Sequence, residues 1–432
     1  MKTKSTVARE NGGKVKVFTP AIILAIIGFV IAFQFVGPAP PREITMATGS
    51  SGGAYASYGE AYVKVLAREG ITLKLVNTSG SVENLQLLEE ESNQVELAFV
   101  QGGLAGLADP DRLMTLGSLF FEPLWIFHRD RIDPKQLGDL QGLRIAVGAE
   151  GSGTRELALK LLQLNGIASS NSTLLTYSSQ DAADKLINGD IDVACFVANP
   201  SSKTIMTLLH ANGVQLMGID RAEAYSMRYK YLHVLNLPEG VIDMVRNIPS
   251  QDQSLVAPAG QLVARSDLHP ALVGLLLQAA EGVHYQGGLF EQEGQFPTPH
   301  FLDFQLSDEA KQFYKHGPPF FQRYLPFWIA NFLSRMKIML LPLLALLFPL
   351  FKIMPAIYRW RMRARIYRWY AELEAIDEAI NQDQSAQDIA QHNDRLDVLE
   401  QKVCHISVPL SFSEELYQLR LHINLLREKL DH

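Results

Sequence analysis

Ile44-Thr-Met-Ala-Thr-Gly-Ser-Ser-Gly-Gly-Ala-Tyr55 has a second version further along the chain, Arg144-Ile-Ala-Val-Gly-Ala-Glu-Gly-Ser-Gly-Thr-Arg155. Each reads as a short apolar strand, a Gly/Ser loop and the start of a helix. Such a loop turns free backbone N–H groups and the positive end of a helix toward one point. Two of these points facing each other would grip a small anion, the geometry of a two-lobed receptor.

The echo continues downstream. Leu87-Leu-Glu-Glu-Glu-Ser-Asn-Gln-Val-Glu-Leu-Ala-Phe-Val100 is matched by Leu186-Ile-Asn-Gly-Asp-Ile-Asp-Val-Ala-Cys-Phe-Val197. Both read as a helix end, a polar turn and a buried strand. Each half therefore holds βαβ units in one order, which predicts an α/β protein of two similar lobes with a cleft between them. Lobe one is expected over about 42–127 and 255–316, and lobe two over about 128–254. Expected strands are Glu43–Ala47, Thr72–Asn77, Val95–Gln101, Leu143–Gly148, Thr173–Tyr177 and Ile191–Val197. Expected helices are 54–69, 82–91, 155–165, 181–188 and 270–285. Glu122-Pro-Leu-Trp-Ile-Phe-His-Arg129 reads as extended chain leaving lobe one, and Ser254–Arg265 as the return.

The chain has 432 residues, too many for one compact core. Its net charge of −7 argues against nucleic acid as a partner. The basic residues cluster at Lys2, Lys4, Arg9, Lys14 and Lys16, and again from Arg359 to Arg368, each time beside an apolar run. The first run, 17–36, carries no charge and is long enough to cross a bilayer. It exits through Gly37-Pro-Ala-Pro-Pro41, a poor cleavage site, so an uncleaved anchor with a stiff spacer is expected. The second, 338–357, contains three prolines and Lys352, with Tyr324, Phe327 and Trp328 placed ahead of it for a membrane interface over 317–337. A helix lying on the membrane is the alternative to a span. Flanking charge places both termini in the cytoplasm and the intervening domain outside the inner membrane.

From Ile366 the spacing predicts a cytoplasmic helical hairpin, 358–432. Leu373, Ile376, Ile380, Ile389, Leu396, Leu399 and Val403 line its first helix, and Leu416, Leu419, Ile423, Leu426 and Leu430 its second, with a joint near Ser407–Ser411. The same stripe would serve a homodimer. Cys195 and Cys404 fall on opposite sides of the membrane in this topology, and Cys195 reads as a small core residue. Neither Cys nor His shows metal-type spacing, and no cofactor is expected.

Ala47-Thr-Gly-Ser-Ser-Gly-Gly-Ala-Tyr55, Thr78-Ser-Gly-Ser-Val-Glu-Asn-Leu85, Asp139-Leu-Gln-Gly-Leu-Arg-Ile-Ala-Val-Gly148 and Gly151-Ser-Gly-Thr-Arg155 together resemble the TAXI family, the extracytoplasmic solute receptors of TRAP transporters. The resemblance covers about Arg42 to His316. It implies a type II periplasmic-binding-protein fold, a small carboxylate ligand (an amino acid such as glutamate, or an oxo- or dicarboxylate) and a TRAP-type permease as partner. Typical members diffuse freely after losing a signal peptide, whereas this chain carries two apolar runs and a tail. A ligand-sensing or scaffold protein that signals through the tail is the alternative function.

The expected ligand-binding residues are Ser50, Ser51, Gly52 and Tyr55 at the first turn. Ser79 and Ser81 follow at the second, and Ser152, Gly153 and Thr154 at the third. Gln101 and Asn199 stand after other strands. All fall beyond the carboxyl ends of strands, where ligands sit in open α/β sheets. The competing role for each Ser or Thr is an ordinary helix cap, most plainly at Ser178 with Asp181. Gly49-Ser-Ser-Gly-Gly53 also fits the serine-hydrolase elbow, but no later Asp or His stands in a matching loop pattern, and no enzyme activity is expected. Asp190 and Asp192 read as caps or solvated groups.

Overall fold

The computed structural model describes residues 19, 22–34, 38–90, 92–382, 386–406, 408 and 412–431. The expected basic tail 1–16, both ends of the apolar run 17–36 and most of the expected joint Ser407–Ser411 lie outside them. The chain divides into one unit of Ala39–Asn331 and another of Met1–Pro38 with Phe332–His432.

The first of these is built on two five-stranded sheets. One contains β1 (Glu43–Ala47), β2 (Thr72–Val76), β3 (Val95–Gln101), β4 (Leu113–Phe121) and β12 (Ala259–Arg265), in the order β2-β1-β3-β12-β4. The other contains β5 (Leu124–Arg129), β6 (Arg144–Ala146), β7 (Thr173–Leu175), β8 (Val193–Val197) and β9 (Val214–Met217), in the order β7-β6-β8-β5-β9. In each, three parallel strands adjoin one antiparallel strand that comes from elsewhere in the chain: β12 beside β3, and β5 beside β8. The repeat seen in the sequence is thus a repeat of topology. A two-stranded ribbon, β10 (His233–Leu237) with β11 (Gln253–Ala257), precedes the return.

Alternation along the strands places a core on both faces of each sheet. Leu97 and Phe99 of β3 pack with Tyr62 and Leu66 of α2 (Ala54–Arg68) and Leu272 and Leu276 of α8 (Pro270–His284). Ala98 and Val100, on the opposite face, pack with Leu85 and Leu88 of α3 (Ser81–Glu89). In β5, Leu124 and Ile126 meet Leu157 and Leu161 of α4 (Gly153–Leu164). Trp125 and Phe127 meet Leu186 of α5 (Ser179–Asn188) and Ile205 and Leu208 of α6 (Lys203–Leu209). Cys195 is buried in this sheet, and burial pushes its thiol up to about 12, so it behaves as a small apolar side chain.

The chain passes between the sheets twice, from Phe121 to Leu124 and from Ala257 to Ala259. The first passage precedes β5, which belongs to the second sheet. The two are tied together where Glu122 N–H donates to the Pro258 carbonyl at 2.9 Å. Asp192 is not a solvated group as the sequence suggested. It is buried, holds Arg144 through both oxygens (2.9 and 3.0 Å) and pairs with Arg131, and the Arg144 guanidinium keeps its carboxyl well below the usual range.

Phe327 and Trp328, expected at a membrane interface, take part in the first sheet's core. Phe327 is buried, and Trp328 packs beside it with the Arg42 guanidinium over its ring at 5.2 Å. Tyr324 is exposed.

In the second unit, α1 (Ile22–Gln34) is a short apolar helix, and α10 (Phe327–Gln382) carries Pro342, Pro349 and Pro355 inside it. Gly28 permits close contact here, since a Cβ on it would stand 2.4 Å from Leu346 Cδ2. Among the described residues one helix is long and apolar enough to cross a membrane, Pro342–Asn381. The C-terminal part is not a hairpin. The polar stretch Asn381 to Gln387 interrupts the apolar stripe, α10 ends at Gln382, and α11 (Ala386–Cys404) and α12 (Ser413–Asp431) follow. Ile366, Leu373 and Ile376 of α10 share one core with Leu396, Leu399 and Val403 of α11 and Leu419 and Ile423 of α12. Arg427 bridges Asp397 and Glu400, and Lys429 reaches Asp377 at 2.8 Å.

Candidate ligand-binding site

The strand ends of the two sheets enclose a cavity of about 680 Å³. Every residue expected from the sequence lines it: Ser50, Ser51, Gly52, Tyr55, Ser79, Ser81, Gln101, Ser152, Gly153, Thr154 and Asn199. Their bonding states differ.

The loop after β1 turns through Gly52, whose φ of +80° suits glycine, and closes with Gly53 N–H on the Ser50 carbonyl at 2.9 Å. Helix α2 then starts at Gly53 without a side-chain cap. Ser50, Ser51 and Gly52 are exposed, and the first-turn amides of α2 stand beside them.

The second turn is closed. Val82 and Glu83 N–H, at the start of α3, both donate to the Gly151 carbonyl of the opposite loop, at 3.2 and 3.3 Å. Ser79 N–H is taken by the Glu83 carboxylate at 2.7 Å. A buried network fixes this turn to the first. Asn84 Nδ2 donates to the carbonyls of Thr48 (2.5 Å) and Phe99 (2.7 Å), and Thr78 Oγ1 donates to Asn84 Oδ1 at 2.6 Å.

The third turn is capped from within. Ser152 Oγ accepts from Arg155 N–H at 3.3 Å and donates to the Ala149 carbonyl at 2.6 Å. Thr154 Oγ1 accepts from Val197 N–H at 3.1 Å. Two further bonds cross the cleft: Gln101 Nε2 to the Gly153 carbonyl, and Asn199 Nδ2 to Tyr58 Oη, both at 3.1 Å. A Cβ on Gly153 would stand 2.5 Å from Gln101 Oε1, so the approach requires glycine. Arg155 turns its guanidinium to Thr176 Oγ1. Ser178 caps α5 by accepting from Asp181 N–H, as its spacing suggested.

Glu122 was missed as a site residue. It is the one acidic side chain lining the cavity among the described residues, and Lys203 the one basic. The Glu122 carboxyl is only 6% exposed and accepts from Tyr55 Oη at 2.8 Å; Tyr55 Oη also meets Ser81 Oγ at 3.2 Å. Burial pushes Glu122 up to about 8, with the Tyr55 bond pulling the other way. Burial and then the Glu122 charge raise the Tyr55 hydroxyl well above its ordinary value. A signal was present: a single carboxylate within Ser118-Leu-Phe-Phe-Glu-Pro-Leu-Trp125 interrupts an otherwise apolar run, which calls for a reason. No histidine lines the cavity, so Ser51 has no base beside it there.

Two α/β sheets of matching order, two passages between them and a polar cavity at their strand ends make this a periplasmic-binding-protein-like fold, the architecture of small-solute receptors. The chain belongs to the NMT1-like family, whose model matches residues 46–279. Among solved structures it is similar to the periplasmic aliphatic sulphonate binding protein of Escherichia coli (16% identity, 56% of this chain and 69% of that one, TM-score 0.36). It is similar also to an ancestral arginine-binding protein solved with arginine (12%, 56% and 93%, 0.37). A third is a histidine kinase sensor domain with similarity to periplasmic binding proteins (14%, 56% and 90%, 0.37). Sulphonate and arginine are the ligands of those proteins.

Proposed function

We propose that this protein is a membrane-tethered extracytoplasmic receptor of TAXI type. Its ligand is a small organic anion, an amino acid such as glutamate or an oxo- or dicarboxylate, delivered to a TRAP-type permease in the same membrane. The observation that carries the reading is the uncapped start of α2 beside Ser50 and Ser51, opening into a cavity that the opposite loop closes. An anion there gains free amides and a helix dipole, while the loop from Ser152 to Thr154 covers it. In this proposal the binding domain runs over 42–316, with 317–337 near the membrane surface. Residues 17–36 and 338–357 span the inner membrane, and 1–16 and 358–432 are cytoplasmic. The test is a thermal-shift and calorimetry screen of the full-length protein in detergent against amino acids, oxo acids and dicarboxylates. At least one is expected to raise the melting temperature in a concentration-dependent way. No response to any of them would remove the proposal's support.

A second reading, signalling to a cytoplasmic partner, is favoured by the shared core of α10, α11 and α12, which is more structure than an anchor requires. Ligand-dependent crosslinking of the tail to a partner supports it. A tail deletion that leaves every partner and uptake unchanged rejects it. A crosslink between two tails would instead support the homodimer.

A further inference from the structure

A receptor for acids has little use for a buried carboxyl in its own cavity, because like charges repel most strongly where water is scarce. Hydrogen-bond direction shows what Glu122 is arranged to do. Gln101 N–H donates to Ser81 Oγ at 2.9 Å. With that lone pair engaged, the Ser81 hydroxyl proton is free to go to Tyr55 Oη at 3.2 Å, and the Tyr55 proton goes to Glu122 Oε2 at 2.8 Å. Backbone amide, serine and tyrosine thus form a chain of donors that ends on the carboxyl and casts it as an acceptor. All four residues line the cavity, and Tyr55 supplies the carboxyl's one protein side-chain donor. What the arrangement lacks is a cation: Lys203 is exposed, and Arg155 is turned to Thr176.

We infer that Glu122 is the specificity residue of this cavity, and that it selects ligands bearing a protonated amine beside the carboxylate, taking zwitterionic amino acids over oxo- and dicarboxylates. The inference rests on the receptor reading above. The carboxylate of the ligand goes to the α2 N-terminus, and its ammonium takes the place that a paired cation would hold against Glu122.

The arrangement has a pH signature. Without a ligand Glu122 titrates near 8, so at neutral pH it is largely protonated. An arriving ammonium favours the ionised form, and binding releases a proton. Affinity then falls as pH drops below 8, by about 50-fold between pH 8 and pH 6 if the bound carboxyl ionises well below 6. The groups facing Glu122 do not imitate this. Tyr55 stays protonated, Tyr58 is raised by burial to about 12, and His284, stacked on Phe120, is held near 3 and neutral. Glu291, which accepts from Phe121 N–H and acts on Tyr58, is the other carboxyl nearby, and Glu291→Gln serves as its control.

The experiment measures, on full-length protein in detergent, matched probes that differ only at the amine: L-glutamate with 2-oxoglutarate and glutarate, and L-alanine with pyruvate and propionate. The expected result is an amino acid bound at least 30-fold more tightly than its partners, with proton release near pH 7. Glu122→Gln is expected to abolish the preference, Glu122→Asp to keep part of it, and Glu291→Gln to leave the pH slope in place. Equal or tighter binding of the amine-free probes overturns the inference and leaves the receptor reading standing. So does a Glu122→Gln protein, folded by circular dichroism, that keeps the preference. Binding of no probe at all overturns both.

Discussion

At Gly53 helix α2 begins with no side-chain cap, and the serines before it are exposed; at Ser152 helix α4 begins under its own serine hydroxyl. The sequences of these turns are near copies, yet their hydrogen bonds are spent differently. The third turn, before α3, differs again, because its amides are held by the Gly151 carbonyl from across the cleft. A Ser/Gly loop at a helix start is therefore one of three things here: an open anion seat, a self-contained cap, or a latch. Only the first can accept a ligand without giving something up. The other two set where the opposite wall stands.

That contrast can be broken by substitution, beginning with the network under the latch. Asn84→Ala removes the donor that holds the Thr48 and Phe99 carbonyls and the acceptor of Thr78, all in buried surroundings. It should cost about 3 kcal/mol, since several buried groups lose partners together. Denaturant unfolding followed by tryptophan fluorescence is the measurement, and a loss under about 1 kcal/mol would show that the two turns do not depend on this network. Ser152→Ala should cost about 1 kcal/mol, the usual worth of a side-chain cap, measured in the same way. Ser51→Ala is the smallest in stability, within about 0.5 kcal/mol, because the side chain is exposed. Its expected effect is on ligand affinity, several-fold weaker by calorimetry. Were Ser51→Ala to destabilise the fold as much as Ser152→Ala, the distinction between seat and cap would fail.

Much of the fold was legible because its causes are local. The apolar strands with a charged or glycine-rich end, the helices between them and the doubled order of the two halves follow from periodicity and turn chemistry. So the strands 43–47 and 95–101 and the helices 54–68 and 270–284 lie within a residue or two of expectation. The strand 113–121 escaped notice, as did 214–217, since neither has its partner nearby in the sequence. The tail was misjudged because helical spacing continues in phase on both sides of residues 383–385, and spacing alone does not reveal that a helix has ended.

The cavity divides in the same way. Its eleven expected residues were found from residue type and position after a strand, which the one-dimensional pattern contains. The sequence by itself determined the doubled α/β order, the small polar residues at strand ends and the shortage of cations among them. Tertiary structure alone decided which of those residues are free and which are bonded across the cleft. It alone set Glu122 at the end of a donor chain, because Gln101, Ser81, Tyr55 and Glu122 come from separate elements. Burial and hydrogen-bond direction depend on atoms far apart in the chain, and no local pattern encodes them.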